Sequence, residues 1–584
     1  MRRTRTDFLF AILLASFTSF LYQANACTAA LLTLTVFCTF TVGSLRHFLM
    51  LWLSAGILAL YFIFGQQQLA NQAKRPAFID EMAIRVQRDQ LRLTTEGTVS
   101  GQGRLESGEK VLFNYQATSQ KDLDRFIESD HARWLLGQGE KRPIMGPTND
   151  YQFDFRRYWQ SQKVTHQIQL KTVAMQEAKA SNPVVALIDF LHRAHFRAER
   201  LAERLPNPLR DYALSLLLAS KASQLYQNNP MIAELGLLHL FALSGLHVAF
   251  LTATVQRFFR YLRIEQEVGD GVLLVLLPLF YLFTSSPAVL FRALLAGELR
   301  IIRRYLRWRI SAIQIWSYSL IGSLLLSPAI LLTLGGQLSF SLTLAVILSK
   351  QLGMIKRGLF LSLVTFPLIL SQQYVWNGWQ TVANLLAIPF FTSAVLPATL
   401  LGYFLGSWSF LATLCNLLIR FFDTAVSLAG RLPGQFVIGA LSWPVLIGLF
   451  LLPFWLLPLG KTGKRLVIAA WFTILLGNFV LIHWPAEGEW TTFDIGQGDA
   501  AVLIEPRHRT VTMIDTGGKV RFGPQPNYRT GHPEDLRPKA IEAKKAKARG
   551  GAGSFRYFAL SSRQGNSTHS YPRALPSRSG PYWR

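Results

Sequence analysis

Apolar runs of about 20 residues recur from Phe8 to Trp484, separated mostly by short basic loops, and no other feature restricts the fold of this chain so severely. Backbone N–H and C=O groups in hydrocarbon find no water, so a run of this kind is expected to satisfy its own hydrogen bonds as a helix. Charged residues make up only 16% of the 584, against about 25% in ordinary soluble domains. Three spans are expected first, over 8–23, 27–44 and 48–65. After a polar interval come 232–256, 268–285, 310–327, 330–349, 358–374, 381–405, 408–430, 437–459 and 465–483. Two shorter pieces, 210–227 with Lys221 and 287–300 with Arg292 and Glu298, read as re-entrant or half helices lining a cavity, since charge at membrane depth needs protein or water around it.

The net charge of +26 is uneven. Arg2, Arg3 and Arg5 precede the first run, and Arg300, Arg303, Arg304, Arg307 and Arg309 form the strongest basic loop. With the loops at Lys350, Lys356, Arg357 and at Lys461, Lys464, Arg465, these charges predict a cytoplasmic N-terminus, with 66–205 and 484–584 outside. Cys27, Cys38 and Cys415 all fall in apolar segments, which gives neither a disulfide framework nor a CxxC metal pair. Phe8–Tyr22 is read as a first span rather than a signal peptide, because two more apolar runs follow directly.

Residues 66–180 differ in kind. Charges are frequent, and segments such as Leu91–Ser100 and Lys110–Thr118 alternate, with Gly101, Gly103, Ser107 and Gly108 as turn residues between them. The pattern predicts a small antiparallel β-domain, and five or so short strands in this length suit an OB-type barrel. Such barrels often bind single strands on aromatic platforms in a basic groove. Phe113, Tyr115 and Trp134 are available, but 17 Lys and Arg stand against 14 Asp and Glu, too even a balance for a strong phosphate funnel. Residues 181–209 contain a basic amphipathic stretch expected to lie along the membrane surface, with a solvated connector as the alternative.

The most polar site inside an apolar run is His239-Leu240-Phe241-Ala242-Leu243-Ser244-Gly245-Leu246-His247. On one continuous helix the two histidines would point about 80° apart and share a broad face, and Ser244-Gly245 permits a kink or a close backbone approach. Three readings stay open on residue types: a face lining a cavity, interhelical hydrogen bonds that only hold the bundle together, and a serine–histidine hydrolase, for which no orienting acid is evident. A second cluster, Asp494, Gln497 and Asp499 followed by Asp515-Thr516-Gly517-Gly518, sits in two alternating strands with tight glycine turns.

The histidine segment resembles the signature of the ComEC-type DNA-internalisation proteins of bacterial competence, whose pattern is close to His-Leu-x-Ala-Ile-Ser-Gly-Leu-His. Phe291-Arg292-Ala293 resembles the family's Arg-Ala step, Gly336-Gln337-Leu338-Ser339-Phe340 its Gln-Leu-Ser-Phe helix, and Asn384 through Pro389 its Asn-Leu-x-Ala-x-Pro segment. Pro147-Thr148-Asn149 and Phe153 through Tyr158 are similar to the end of the family's extracellular OB-like domain. The resemblance covers about residues 1–518, in the family's order. The family's Leu-Gly-Asp-Arg-like element is replaced by Leu218-Ala219-Ser220-Lys221, where only the basic residue persists. The strands around Asp494 and Asp515 resemble the opening of the family's metallo-β-lactamase-like domain, but the His-x-His-x-Asp-His metal motif of that domain does not occur.

The resemblance implies a polytopic α-helical membrane protein with an inserted extracellular OB-like β-domain and the remnant of a metallo-β-lactamase-like domain. Its expected parts are N-terminal transmembrane helices 1–65, the β-domain 66–180, an interfacial helix 181–209, the channel domain 210–483, the first lactamase-like strands 484–518, and a basic tail 519–584. The tail holds 14 Lys and Arg against 3 Asp and Glu without periodicity. It is expected to be disordered or out of frame, with a true basic tail that binds DNA or lipid phosphates as the alternative. The implied function is passage of single-stranded transforming DNA across the cytoplasmic membrane. Channel-lining candidates are His239, Ser244, Gly245, His247, Lys221, Arg292 and Gln337, with no catalytic or metal-ligating residue. A small-molecule transporter is the remaining alternative. No phosphate-binding Gly-x-x-x-x-Gly-Lys-Ser/Thr loop is present, so the implied partners are single-stranded DNA, membrane lipid, a DNA receptor outside and a helicase-like ATPase inside. A homo-oligomer is left open. No cofactor is expected in this chain, and a divalent metal only in full-length relatives.

Overall fold

The computed structural model describes residues 2–24, 26–40, 45–73, 78–94, 97–127, 130–220, 223, 225–241, 243–284, 288–495 and 500–516. Lys221, Gln497, Asp499, residues 517–518 and the tail 519–584 lie outside them. Three helices, α1 (Arg2–Tyr22), α2 (Ala26–Thr39) and α3 (Leu45–Ala73), lead into a β-domain. It comprises β1 (Phe78–Leu93), β2 (Thr98–Leu105), β3 (Lys110–Gln116), α4 (Gln120–Ile127), β4 (Arg133–Pro143), α5 (Phe155–Ser161), β5 (Val164–Leu170) and β6 (Ala174–Glu177). The strands run in the order β1-β2-β3-β5-β4-β6, and β1 also pairs with β4, so the first five close on themselves. Only β3 and β5 are parallel; the other barrel pairs are antiparallel.

Alternation builds the interior. In β3, Val111, Phe113 and Tyr115 point inward while their neighbours face out, and Ile84, Val99, Leu135 and Ile168 meet them from the other strands. Two of the three aromatic residues available as stacking platforms are therefore core: Phe113 and Tyr115 are buried and closed to a base, while Trp134 is partly exposed. The expected strand over Leu91–Ser100 is instead the β1–β2 hairpin, which turns at Thr94–Gly97, where Gly97 takes φ +82°. Alternation carried across the turn made two strand ends look like one strand. Gly101 and Gly103 lie inside β2 rather than in a turn. A Cβ on Gly101 would come 2.8 Å from the Gln90 carbonyl oxygen, where β1 bulges between Val86 and Leu91. Ser107-Gly108 does form the β2–β3 turn, with Gly108 at φ +81°.

After the barrel, α6 (Pro183–Ala202) packs along β1, and α7 (Leu209–Leu216) enters the helical bundle. Three single-turn pieces follow, α8 (Leu225–Asn228), α9 (Met231–Glu234) and α10 (Leu238–Phe241). Then come α11 (Gly245–Tyr261), α12 (Gln266–Phe283), α13 (Ala288–Tyr305), α14 (Ala312–Leu326), α15 (Leu334–Leu348) and α16 (Met354–Gln373). The strand β7 (Val375–Asn377) precedes α17 (Gln380–Phe390), α18 (Leu396–Phe404) and α19 (Ser409–Gly430), and pairs with β8 (Gln435–Val437). Helices α20 (Trp443–Leu451) and α21 (Lys461–His483) complete the bundle. Between α17 and α18 the helix widens to a π turn over Phe391–Val395, just after Pro389, whose missing N–H loosens the hydrogen-bond ladder.

Among the described residues, six helical stretches are long and apolar enough to cross a membrane: Phe48–Leu69, Gln266–Phe283, Met354–Gln373, Gln380–Phe404, Ser409–Gly430 and Lys461–His483. With five shorter apolar helices beside them, they make this a multi-pass α-helical membrane protein. The bundle's largest core joins Leu209 and Tyr212 of α7, Phe241 of α10, Phe391 and Phe422, with aromatic rings meeting edge to face at 5.3–5.4 Å. The chain then forms a three-stranded antiparallel sheet of β9 (Glu489–Phe493), β10 (Ala500–Ile504) and β11 (Val511–Thr516), in the order β11-β10-β9.

Candidate functional site

The expected span over 232–256 is not one helix. Ser244 is extended (φ −136°, ψ 177°) and caps α11, so the chain breaks between α10 and α11 and the two histidines stand on separate helices. The 80° relation expected for a continuous helix does not hold. The break has a local cause. Ser244 Oγ accepts the Leu246 N–H (3.3 Å), and His247 Nδ1 accepts the Ser244 N–H (3.3 Å), a reciprocal cap in which histidine takes the usual place of glutamate. His239 Nδ1 lies 3.0 Å from the Gly236 carbonyl oxygen and donates to it, closing the turn before α10.

This cap fixes the chemistry of His247. An Nδ1 that accepts from the backbone places the ring proton on Nε2. His247 is 6% exposed, its ring lies edge-on to Phe391, and its Nε2 has no partner among the described residues. A buried donor without an acceptor costs about 1–3 kcal/mol, so one is rarely kept without a use.

Arg292 arrives from α13. Its Nε donates to Ser339 Oγ at 2.6 Å, and its guanidinium carbon stands 5.7 Å from the Phe340 ring centroid. Its Nη2 lies 3.4 Å from where a Cβ on Gly245 would be, an ordinary van der Waals distance that sets the cation beside the start of α11. Arg292 is 7% exposed and, among the described residues, has no carboxylate partner. The structure thus brings together Ser244, Gly245, His247, Arg292 and the Ser339-Phe340 pair, on α11, α13 and α15. Both the guanidinium and the positive end of the α11 dipole face this place, an arrangement that favours an anion and repels a cation.

Gln337 serves another purpose: its Nε2 donates to the Leu331 carbonyl oxygen (2.9 Å) and ties the turn ahead of α15. Beside it, Gly336 passes so close to the Ile330 carbonyl that a Cβ would sit 2.1 Å from the oxygen. Asn384 donates to the Gln380 carbonyl, and its own buried Oδ1 has no partner among the described residues. Sequence reasoning missed Ser339 as the anchor of Arg292, although the Gln-Leu-Ser-Phe segment containing it stood out.

At the far end of the chain, Ala500 pairs with both Phe493 and Thr516, so the neighbouring Asp494 and Asp515 share one end of the small sheet. The Asp494 backbone is held by Asn149: its N–H donates to Asn149 Oδ1 (2.7 Å), and its carbonyl accepts from Asn149 Nδ2 (2.8 Å). This reciprocal pair joins the barrel's β4–β5 connection to β9, which sequence reading did not foresee. No group of three or more His, Cys, Asp or Glu suited to a metal ion occurs among the described residues.

Ser244 Oγ and His247 Nδ1 are 3.3 Å apart, near enough to suggest a nucleophile and its base. However, Nδ1 also accepts the Ser244 N–H and the hydroxyl oxygen caps α11. Among the described residues no carboxylate contacts either, so the pair reads as a helix cap.

Comparison with known proteins finds relatives for the bundle. The family described as Competence protein matches residues 216–462, the stretch that contains α8–α20 and every member of the polar cluster. ComE operon protein 3 of Bacillus subtilis (strain 168) is 30% identical over 329 residues, which are 53% of this chain and 42% of that protein. The chain therefore spans about two fifths of the relative's length. No solved structure matches it significantly. Residues 216–462 are thus similar to the competence-protein family, and about half of the chain is similar to ComE operon protein 3.

Proposed function

We propose that this protein passes single-stranded transforming DNA across the cytoplasmic membrane during competence. The observation that carries the reading is the cluster on α11, α13 and α15, inside the matched domain. There, among the described residues, a buried guanidinium without a countercharge and a buried imidazole N–H without an acceptor stand at one helix start. A phosphodiester offers both what they lack, a charge and acceptor oxygens. A bundle that only needed gluing would be better served by partners within itself. On this reading Arg292, His247, Ser244 and Gly245 line the path. His239 and Gln337 shape the turns beside it, and Lys221 is a further candidate in the family's basic element.

The rest of the chain supplies the approach. The closed order β1-β2-β3-β5-β4-β1, with α4 between β3 and β4, supports an OB-like identity for the β-domain. The antiparallel β9–β11 sheet is compatible with the first strands of a metallo-β-lactamase-like domain. An outside receptor that delivers DNA and an ATPase that pulls from within are the partners this reading requires.

Transformation and solute uptake measured in a deletion strain, with and without the gene restored, test the proposal. Loss of transformation with unchanged solute uptake is expected. Normal transformation, or a matching defect in solute uptake, rejects it. A hydrolase at Ser244 would instead lose activity on Ser244→Ala, a change that a path-lining role tolerates if Gly245 keeps Arg292 in place.

A further inference from the structure

The sequence Arg-Tyr-Leu-Arg occurs twice, at 260–263 and 304–307. The copies end α11 and α13, and they end them in the same way. Arg263 and Arg307 take φ +56° and +51°. The N–H groups of Arg263 and Ile264 donate to the Arg260 and Phe259 carbonyls, both at 3.0 Å. Those of Arg307 and Trp308 donate to the Arg304 and Arg303 carbonyls, at 3.2 and 2.9 Å. This pair of hydrogen bonds around a left-handed residue is a Schellman cap, and its left-handed position usually holds glycine, which has no Cβ to crowd. Arginine stands there twice, although the cap itself does not ask for it. Compensation of the helix dipole accounts for basic residues in a last turn, but not for the tyrosine beside each of them.

The two caps are held side by side. Helices α11 and α13 run in the same direction: Gly245 stands beside Arg292 at their starts, and further along a Cβ on Gly297 would lie 3.6 Å from Val248. At their ends Asp270 of α12 accepts from Gln256 at 3.2 Å and from Arg304 at 2.8 and 2.6 Å, which ties both helices to one carboxylate. The other end of α12 is on the barrel side, where the Phe283 ring meets His195 of α6 at 5.1 Å. The 18 residues of α12 separate these ends by about 27 Å. A strand that enters past the barrel therefore leaves at the two caps, on the side that the basic loops mark as cytoplasmic.

The surface there is basic and aromatic. Tyr261 is 85% and Tyr305 62% exposed, and Leu262, Leu306 and Trp308 are about half exposed. Residues 257–270 and 300–309 hold eight arginines against three carboxylates, of which Asp270 is already taken by Arg304. Such a surface attracts a polyanion and offers it flat faces, and a single-stranded nucleic acid uses both. A ligand built of repeating units also suits a motif shown twice, on helices whose axes pack about 8–10 Å apart. An anionic bilayer surface would attract the arginines as well, but gives no reason for the repetition.

We propose, on the DNA-passage reading above, that the twin Arg-Tyr-Leu-Arg caps are the platform that receives the single strand as it leaves the bundle. Arg263 and Arg307 hold neighbouring phosphates, and Tyr261 and Tyr305 stack under bases.

The full chain in nanodiscs of phosphatidylcholine, a lipid without net charge, is titrated with a fluorescent single-stranded oligothymidylate at several salt concentrations, and binding is read by anisotropy. Arg263→Gly with Arg307→Gly is the first double variant. Glycine suits both caps, so this protein should melt no lower than the unaltered one. Its affinity is expected to fall about tenfold or more, and the slope of log affinity against log salt to shrink by about 1.4, since each phosphate contact to a single strand contributes about 0.7. Tyr261→Ala with Tyr305→Ala should also weaken binding about tenfold or more through lost stacking, with the salt slope unchanged. Unchanged affinity in either double variant overturns the proposal: loss with the arginines alone marks a surface for lipid headgroups, and loss with the tyrosines alone leaves the arginine caps without a role. Transformation is a separate readout. If it is lost in Arg292→Gln while both double variants bind like the unaltered protein, the exit platform fails and the path stands. If a strain lacking the gene transforms normally, the path reading fails whatever the discs show.

Discussion

The β-barrel and the membrane bundle both bury charge, but they treat it differently. In the barrel, Lys141 lies 2.7 Å from Glu109 and His166 lies 3.0 Å from the same carboxylate, all three nearly inaccessible. At the barrel's edge Asp89 is shared by two histidines, and Asp189 is held by Arg85. Elsewhere in the bundle the same rule holds: Arg304 grips the buried Asp270 through two hydrogen bonds of 2.8 and 2.6 Å. Arg292 breaks it, and beside it the neutral His247 keeps an Nε2–H without an acceptor among the described residues. Breaking a buried ion pair costs about 3–5 kcal/mol, so opposite charges normally accompany each other out of water. Arg292 is held at comparable burial without a carboxylate among the described residues, which on the proposed reading leaves it for a partner that arrives from elsewhere. The paired ions maintain architecture, and on the proposed reading the Arg292 cluster is where the DNA passes.

The largest effect should come from the unpaired cation. Arg292→Gln is expected to lower transformation by about 10- to 100-fold, since a hydrogen bond to a charged group is worth about 1.5–3 kcal/mol, while the amount of inserted protein stays the same. Arg292→Lys should recover part of the loss, because charge returns without the planar fork. If abundance falls in step with transformation in Arg292→Gln, the residue belongs with the structural ions and the contrast fails.

His247→Leu should come next, at about tenfold, from loss of one buried donor. It also removes the reciprocal cap at Ser244, so His247→Gln, which keeps an acceptor for the Ser244 N–H, separates the two roles. Recovery of uptake by His247→Gln would mean that the cap alone matters. Continued loss with normal membrane levels points to the Nε2–H.

The paired ions give the opposite signature, one of pH and stability rather than transport. Burial alone would raise the Asp89 carboxyl, but hydrogen bonds from His192 and His195 outweigh it and hold the group at about 2. Burial alone would lower His195, but Asp89, Glu199 and the Leu218 carbonyl outweigh it and raise the imidazole above 6.5. The depressed carboxylate stabilises above its ordinary range and loses that contribution as pH falls toward 2; the raised histidine stabilises below 6.5 and loses its contribution as pH rises through its folded value. Glu199, raised by its burial, acts in the same sense as His195. The joint between β1 and α6 should therefore be tightest between about pH 4 and 6.5. Protease sensitivity of residues 203–208 in reconstituted protein, followed from pH 5 to 9, is expected to increase with pH. In Asp89→Asn most of that dependence should vanish; a flat profile in the unaltered protein contradicts the assignment.

How much of this could be read from the amino acids depends on the range of the interaction. The apolar runs were legible because a bilayer sets helix length directly. Of the seven candidates, Ser244, Gly245, His247 and Arg292 do come together, and histidine and arginine drew attention because they are costly in such surroundings; His239 and Gln337 instead hold turns. The geometry of the cluster was not legible. A cap made by Ser244 and His247 breaks the helix inside an uninterrupted apolar run, and hydropathy does not register caps. Ser339 was hidden for a different reason: its contact with Arg292 spans 47 positions. In the barrel, alternation over Lys110–Thr118 found the strand Lys110–Gln116, while over Leu91–Ser100 it ran across the end of β1 and the start of β2.

The smallest expected effect tests where the two regions communicate. Asn149 reaches Asp494 across 345 positions through two hydrogen bonds to backbone, one of them accepting and one donating. Its loop also brings Tyr151 edge-on to Tyr374, 5.5 Å away, just after α16. Each hydrogen bond contributes about 0.5–1.5 kcal/mol net, so Asn149→Ala should loosen β9 by about 1–2 kcal/mol without unfolding the barrel. Asn149→Asp keeps the acceptor for the Asp494 N–H but loses the donor, and repels the Asp494 carbonyl, so it should be at least as damaging. Hydrogen exchange of 489–493 is the measurement: faster exchange confined to those amides, with β1–β5 unchanged, is expected. Equal protection in all three proteins would show that the sheet holds its place without Asn149, and that the barrel and the C-terminal strands are neighbours without being coupled.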